Sequence, residues 1–199
     1  MTPFTTLSSR AVPLPEANID TDIILPARFL LHTEKHGLGR FAFFERRQGG
    51  GFILDDPRLT GAQILVAGEN FGCGSSREQA PWALADLGIR CIVAPSFGEI
   101  FRANCIRNAM LPVTLGRADW LRVLEAAQRF EVMAVYLATG RLDLANTSIG
   151  FSLPPREREA LLDGRDEIDL ILAHHAAAIA AFETRQRHDQ PWLWETHHG

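Results

Sequence analysis

Residues 68–78, Gly-Glu-Asn-Phe-Gly-Cys-Gly-Ser-Ser-Arg-Glu, form a glycine-rich stretch between two segments of contrasting pattern. Before it, residues 63–67 form a short run rich in branched aliphatic residues, which is typical of a buried strand. After it, residues 75–87 carry apolar positions at helical spacing. Gly72 and Gly74 allow a sharp turn that leaves backbone N–H groups uncovered. The stretch therefore predicts a strand, a tight loop and a helix in succession.

The segments that follow repeat this alternation. Residues 89–94 predict another buried strand, and residues 98–110 and 112–115 predict the next helix and strand. Strands separated by helices in this way favour a parallel α/β sheet with right-handed crossovers. A further helix, two short strands and a long C-terminal helix are predicted at residues 119–127, 130–136, 141–144 and 168–187. Residues 1–60 are predicted to be loop-rich, with a short strand or turn at 18–25.

The loop carries polar groups suited to binding an anion. Ser75 and Glu78 have the spacing of a capping box, which predicts that the helix begins near Ser75. Pro81 cannot donate a helical hydrogen bond, so the alternative is a helix that begins a few residues later. Arg77 adds a forked, permanently charged donor that suits a carboxylate, and free N–H groups at a helix start attract anions. The spacing alone is equally compatible with a plain capped turn.

The composition excludes several classes of protein. At 199 residues, with 46% hydrophobic and 22% charged residues, the chain is typical of one globular domain rather than a disordered or fibrous protein. Its net charge of −4 and pI near 6.0 imply no broad basic face, so nucleic acid is not expected as a partner. Without a secretory signal or an apolar run of ~18 residues, no membrane association is expected. Three cysteines without paired spacing indicate a cytoplasmic protein.

Residues 68–84, which continue the quoted stretch through Gln-Ala-Pro-Trp-Ala-Leu, closely resemble the small subunits of 3-isopropylmalate dehydratase. These proteins correspond to the swivel domain of aconitase. The likeness also includes Asn-Ile-Asp-Thr-Asp-Ile-Ile at 18–24, Ile-Val-Ala-Pro-Ser-Phe at 92–97 and Leu-Pro-Val at 111–113. These motifs are long and occur in the same order, so the resemblance extends from about residue 4 to the C-terminal helix.

The resemblance implies an α/β fold of a particular kind. We expect a swivelling β/β/α domain of the aconitase small-subunit type, with a mostly parallel central sheet and a C-terminal helical arm. Residues 1–199 would form a single domain, in which about 1–150 are the core and 151–199 a C-terminal helical extension. A free swivel domain exposes its catalytic face, which leaves room for homo-oligomers of the isolated chain.

The resemblance also implies an activity. We expect a hydro-lyase subunit that interconverts 2-isopropylmalate and 3-isopropylmalate by dehydration and rehydration in leucine biosynthesis. It would act only with a separate large subunit that carries a [4Fe-4S] cluster, and this chain itself would bind no metal or cofactor. Two alternatives remain open: the small subunit of a homoaconitase-like or methyl-substituted malate dehydratase, and a non-catalytic anion-binding module.

The same resemblance assigns roles to five residues. Ser75 is expected to act as the base that removes a proton from the carbon beside a carboxylate, with Arg77 as its catalytic partner. Ser76 and Arg77 are expected to bind the substrate. Thr21 and Asp22 match a Thr-Asp pair on the family's first strand, and they are expected to line the site and bind the substrate. On residue type alone, Asp22 is also typical of a turn or a helix N-cap.

Residues 27–47 fall where relatives carry a mobile loop that recognises the substrate, and we call them the recognition segment. Some relatives have Tyr-Leu-Arg where this chain has Phe29, Leu30 and Leu31. Leu30 and Leu31 are therefore candidates for apolar contact with an isopropyl group. The equally plausible alternative is that both leucines are buried anchors of the segment.

The cysteines do not have the close spacing that iron–sulfur sites usually show. Cys91 falls in a predicted strand and Cys105 on a predicted helix, so both are expected to be buried small hydrophobic residues. Cys73 lies in the glycine-rich loop. In relatives the cluster ligands belong to the large subunit, and no metal site is therefore expected on this chain.

Overall fold

The computed structural model describes residues 2–31, 34–165 and 167–194. Its internal contacts divide the chain into two compact units, Met1–Gly164 and Arg165–Gly199. His32, a basic residue of the recognition segment, lies outside the described residues. Among the described helices, none is both long and apolar enough to cross a membrane.

The first unit is built on one seven-stranded sheet with the strand order β4-β3-β2-β1-β5-β6-β7. The strands are Thr6–Leu14 (β1), Ile64–Ala67 (β2), Cys91–Ala94 (β3), Leu111–Thr114 (β4), Val132–Tyr136 (β5), Arg141–Leu144 (β6) and Thr147–Gly150 (β7). Strands β1 to β4 are parallel, and β5 to β7 continue the sheet as an antiparallel meander. Five strands, β1 to β4 and β6, thus run in one direction, and the predicted mostly parallel α/β sheet is confirmed.

Helices connect the parallel strands as predicted. The helices of the first unit are Thr21–Ile24 (α1), Phe44–Arg47 (α2), Gln79–Asp86 (α3), Glu99–Arg107 (α4), Arg117–Gln128 (α5) and Pro155–Asp163 (α6). Helix α3 connects β2 to β3, and α4 connects β3 to β4. Short helical turns at Ala27–Phe29 and Gly39–Phe41, together with α2, order much of the recognition segment.

The core lies on both faces of the sheet because the parallel strands are buried on both sides. Ile64 and Val66 of β2 belong to one apolar cluster, together with Trp120 of α5. Leu65 alternates with them and belongs to the other cluster, which also contains Leu84 of α3. The second cluster supports the glycine-rich loop, because it includes buried residues from both sides of it.

One expectation about the first 60 residues is wrong, and an alternative left open for them is decided. Residues 6–14, predicted as loop, form the central strand β1. Its first half, Thr6 to Arg10, pairs with β5, whereas its second half, Ala11 to Leu14, pairs with β2. Of the strand or turn predicted at residues 18–25, the turn is confirmed as the helical turn α1. The Asp20 carboxylate caps it by accepting a hydrogen bond of 2.7 Å from the Ile23 amide.

The second unit consists of one long helix, Glu167–Asp189 (α7), and a short helical turn at Pro191–Leu193. The predicted C-terminal helix is therefore confirmed, with slightly wider bounds. Several of its apolar side chains are exposed, namely Ile168, Ile171, Leu172 and Phe182. Within this unit, the Arg187 guanidinium carbon lies 4.3 Å from the centre of the Trp194 ring.

Candidate active site

The glycine-rich loop is held by backbone hydrogen bonds from both sides. Gly72 donates to the Ile19 carbonyl at 2.7 Å, and Thr21 donates to the Cys73 carbonyl at 3.0 Å. On the other side, Gly98 donates to the Phe71 carbonyl at 2.9 Å. The loop is therefore clamped between the residues before α1 and the connection from β3 to α4.

The close packing explains two of the glycines. Gly72 has φ +72°, and a Cβ atom there would lie 2.2 Å from the ring of Phe101. A Cβ atom on Gly98 would lie 2.5 Å from the Gly72 carbonyl oxygen. At both positions the neighbouring atoms occupy the space of a side chain, so the loop can reach its position only with glycine.

Two asparagines that sequence reasoning did not select stabilise the loop. Asn18 and Asn70 both adopt the left-handed conformation, with φ of 58° and 56°, which asparagine tolerates better than most residues. The Asn70 amide group donates to the Asn18 side-chain oxygen at 2.8 Å, and the Asn70 backbone N–H donates to the Ser96 hydroxyl at 2.8 Å. The sequence could not predict this contact, because the two asparagines are 52 residues apart in the chain.

The predicted capping box is wrong. Helix α3 begins at Gln79, and no side-chain hydrogen bond caps it. Pro81 therefore falls in the first turn. The N–H groups of a first turn have no partner within the helix, so the lack of an N–H on proline costs no helical hydrogen bond. The alternative of a later helix start is confirmed. Ser75 and Ser76 instead lie in irregular backbone before the helix, and both are exposed.

Thr21 supports this exposed segment from the interior of the protein. Its side chain is 1% exposed, and its hydroxyl donates to the Ser75 carbonyl oxygen at 3.2 Å. Thr21 and Asp22 lie on the helical turn α1 rather than on a strand, which corrects the placement that the resemblance implied. The N-cap of that turn is Asp20, so Asp22 is free of the capping role.

Arg77 and Asp22 form an ion pair between α1 and the loop. The Arg77 Nη1 atom donates to the Asp22 Oδ1 atom. The Arg77 side chain is 22% exposed and the Asp22 side chain 50% exposed, so the pair lies at the surface beside the two serines. The structure thus brings together five predicted site residues, which are Thr21, Asp22, Ser75, Ser76 and Arg77.

The two leucines of the recognition segment have different environments. Leu30 is half-buried and packs against the second core cluster, as the anchoring alternative expects. Leu31 is 90% exposed and is thus open to a ligand or a partner. Beside them, the rings of Phe29 and Phe41 stack with centroids 4.2 Å apart. The stacked rings give the segment a local apolar centre.

The donor set does not suit an iron–sulfur cluster held by this chain. Cys91 packs in one core cluster and Cys105 in the other, on opposite faces of the sheet. Burial raises the pKa of both thiols, whereas a metal ligand must be a thiolate. Throughout residues 2–31, 34–165 and 167–194, no group of three or more histidine, cysteine or acidic side chains could hold a metal ion.

Comparisons with known proteins identify the family of the chain. The profile of the aconitase C-terminal domain family matches residues 1–118, and a profile of the C-terminal domain of 3-isopropylmalate dehydratase small subunits matches residues 174–194. The 3-isopropylmalate dehydratase small subunit of Paramagnetospirillum magneticum is 44% identical over 202 residues, covering 97% of this chain and 100% of that protein. The corresponding protein of Allorhizobium ampelinum is 42% identical, with 96% and 100% covered.

A solved structure is also similar. The 3-isopropylmalate dehydratase from Methanocaldococcus jannaschii superposes with a TM-score of 0.66 and is 26% identical, covering 88% of this chain and 99% of that one. Full-length identity above 40% and the matching domain profiles lead to the same assignment. The chain belongs to the family of 3-isopropylmalate dehydratase small subunits, within the aconitase C-terminal domain family.

Proposed function

We propose that this chain is the small subunit of a 3-isopropylmalate dehydratase, which interconverts 2-isopropylmalate and 3-isopropylmalate by removing and adding water. The observation that carries the proposal is the exposed Ser75-Ser76-Arg77 segment, held in place by Thr21 and Asp22. Full-length similarity to proteins of that name supports it. Such an enzyme serves leucine biosynthesis, and we assign it to the cytoplasm, where the three free thiols of this chain stay reduced.

Ser75 is the proposed base. Its hydroxyl oxygen, as the alkoxide, takes the proton from the carbon next to a substrate carboxylate, and the hydroxyl leaves from the neighbouring carbon. A free serine is a very weak base, so nearby positive charge must stabilise the alkoxide and lower the pKa of the hydroxyl. Arg77 is the cation in the same segment. In the reverse direction Ser75 returns the proton.

Arg77 is also the proposed carboxylate ligand. A guanidinium group carries five N–H donors in a fixed plane, and Asp22 occupies one edge of it through Nη1. The remaining donors are oriented by that pairing and can bind a substrate carboxylate with two parallel hydrogen bonds. Ser76 is exposed beside it and adds a hydroxyl donor. Thr21, being buried, positions Ser75 and does not contact the substrate.

Activation of the departing hydroxyl is assigned to a partner chain, because the cysteines of this chain do not suit cluster ligation. We propose a separate large subunit that bears the [4Fe-4S] cluster, whose iron would act as a Lewis acid. Leu31, exposed on the recognition segment, is the proposed apolar contact for the isopropyl group. Leu30 anchors the segment.

The proposal is tested by reconstitution under anaerobic conditions. The chain alone should be inactive, and the mixture with an iron-loaded large subunit should convert 2-isopropylmalate to 3-isopropylmalate. Ser75→Ala should lower kcat at least about 10³-fold, because both proton transfers lose their base. Ser152→Ala, at another exposed serine, is the matched control and should keep full activity.

The outcomes separate the alternatives. A panel containing homocitrate and citramalate shows which side chain the recognition segment accepts, and preference for either would reassign the substrate. Activity of the chain alone would contradict the division between two subunits. An inactive mixture with a loaded partner would refute the assignment, and full activity of Ser75→Ala would favour a non-catalytic module. Size-exclusion chromatography of the isolated chain tests whether it forms homo-oligomers.

A further inference from the structure

An open cavity of about 520 Å³ lies near the C-terminal ends of α3 and α4. It is separate from the five residues of the candidate active site, none of which lines it. Its walls come from the recognition segment, the two helices, the residues just after α4, the residue before β3 and Thr2. Trp82, Ala85 and Ala109 provide apolar surface, and the size is within the range of small-molecule sites.

Basic side chains converge on this cavity without a described acidic partner. Lys35, Arg90 and Arg107 all line it, and none of the three forms a salt bridge with a described carboxylate. By contrast, Arg102, which lies on the same helix as Arg107, is paired with Glu157. In a chain with a net charge of −4, three such cations around one cavity need an explanation.

The described contacts of these cations are with neutral groups. Lys35 donates to the Asn108 side-chain oxygen at 3.1 Å and lies 5.1 Å from the centre of the Trp82 ring. Arg90 reaches two backbone carbonyl oxygens at 3.5 Å, and Arg107 reaches the Asn104 side-chain oxygen at the same distance. These long contacts leave most of the guanidinium donors available to a ligand.

Asp86, the acidic residue of the described lining, does not neutralise them. One Asp86 carboxylate oxygen accepts backbone hydrogen bonds from Gly37 at 3.0 Å and Gly39 at 2.7 Å. His36, which also lines the cavity, lies 3.9 Å from the other oxygen and adds further positive charge when protonated. The cavity is therefore electropositive, and it disfavours ligands that carry an ammonium group.

We propose that this cavity binds a small multivalent anion, a dicarboxylate or a phosphate group, through Lys35, Arg90 and Arg107. Guanidinium groups recognise carboxylate and phosphate alike through paired N–H donors, so the two ligands share one chemistry. Trp82 would cover the apolar part of a larger ligand. The site is distinct from the Ser75 loop and does not depend on the proposed catalytic activity.

The test is isothermal titration of the full chain at low ionic strength, with inorganic phosphate in one series and malonate in another. One saturable site is expected in at least one series, and the series that saturates identifies the anionic group. Arg107→Gln and Arg90→Gln should each weaken Kd about tenfold, since each removes a charge-assisted contact. Arg117→Gln, at an exposed arginine outside the cavity, is the matched control and should leave Kd unchanged.

Two further variants keep the result decisive. Ser75→Ala should leave Kd unchanged, whereas loss of binding in Arg77→Gln would place the anion in the active site and overturn the proposal. Arg107 is exposed, so Arg107→Gln should fold normally, and it still tests the proposal if Arg90→Gln fails to fold. Absence of saturable binding, or an unchanged Kd in Arg107→Gln, would also overturn it. Binding that disappears in the complex with the large subunit would instead make the cavity a partner contact and refute the ligand site.

Discussion

Replacing Thr21 by valine tests whether a buried hydroxyl positions the reactive serine. The change keeps the side-chain volume and removes one hydrogen bond, from Thr21 Oγ1 to the Ser75 carbonyl at 3.2 Å. A neutral hydrogen bond contributes about 0.5–1.5 kcal/mol to stability, and Ser75 is exposed, so water can replace the lost donor. We therefore expect the free energy of unfolding to fall by about 0.5–1 kcal/mol, at the lower part of that range.

The effect on catalysis should be larger than the effect on stability. A displacement of about 1 Å in a reacting group can cost about 100-fold in rate, so a loss of about 10–100-fold in kcat is expected for Thr21→Val. KM should change little, because Thr21 is buried and its proposed role is to position Ser75. Thr21→Ser keeps the hydroxyl and should recover most of the lost kcat.

The assay is steady-state kinetics of the reconstituted enzyme, with urea denaturation of each variant as the stability measurement. If the kcat of Thr21→Val equals that of the wild type, the positioning role of Thr21 is refuted. A raised KM with unchanged kcat would show that Thr21 contacts the substrate, as the sequence resemblance implied. Equal losses in the serine and valine variants would show that the methyl group matters and the hydroxyl does not.

Three other predictions concern the loop packing, the thiols and one surface ion pair. Gly72→Ala should lower the free energy of unfolding by about 2–4 kcal/mol, because the new methyl group overpacks the loop and the backbone is strained at positive φ. Gly50 has a similar φ but open space around it, so Gly50→Ala should lower the free energy of unfolding by only about 1 kcal/mol. Urea denaturation of the two variants tests the difference. Iodoacetamide should modify only Cys73 in the folded chain, because burial raises the pKa of the other two thiols and covers them; peptide mass spectrometry reports the sites. The Arg58 side-chain hydrogen bond lowers the Asp56 pKa to about 2 from the ordinary carboxyl value of 3.8. This contact therefore stabilises the fold above pH 3.8, and its contribution is lost as the pH falls towards 2. An NMR titration of the Asp56 carboxyl group should give a midpoint near pH 2 in the wild type and one closer to 3.8 in Arg58→Met.

The parallel half of the fold could be predicted because its signals are local. Short apolar runs such as residues 64–67 are buried on both faces, and Gly68, Gly88 and Pro95 follow β2, the end of α3 and β3 closely. Strand β1 gave no comparable signal. Its sequence, Thr-Leu-Ser-Ser-Arg-Ala-Val-Pro-Leu, changes from half-exposed to buried midway, because the two halves pair with different strands.

Sequence alone could select five candidate residues that the structure brings together, but it could not predict their geometry. A capping box is recognised only by the spacing of two residue types. Ser75 and Glu78 have that spacing, but the loop continues as far as Glu78 and the helix begins after it. The burial of Thr21 and its hydrogen bond to Ser75 depend on a contact between residues 54 positions apart. Likewise, the difference between Leu30 and Leu31 follows from packing against the second core cluster, which no local pattern encodes.

The divided pairing of β1 has a consequence for how the chain folds. Strand β1 is synthesised before both of its partners, which lie far downstream, at residues 64–67 and 132–136. Contacts between distant parts of a chain form slowly, because loop closure must precede them. The nascent chain must therefore keep β1 unpaired until β2 emerges and half-paired until β5 follows, which leaves this strand open to misfolding and to chaperone binding during synthesis.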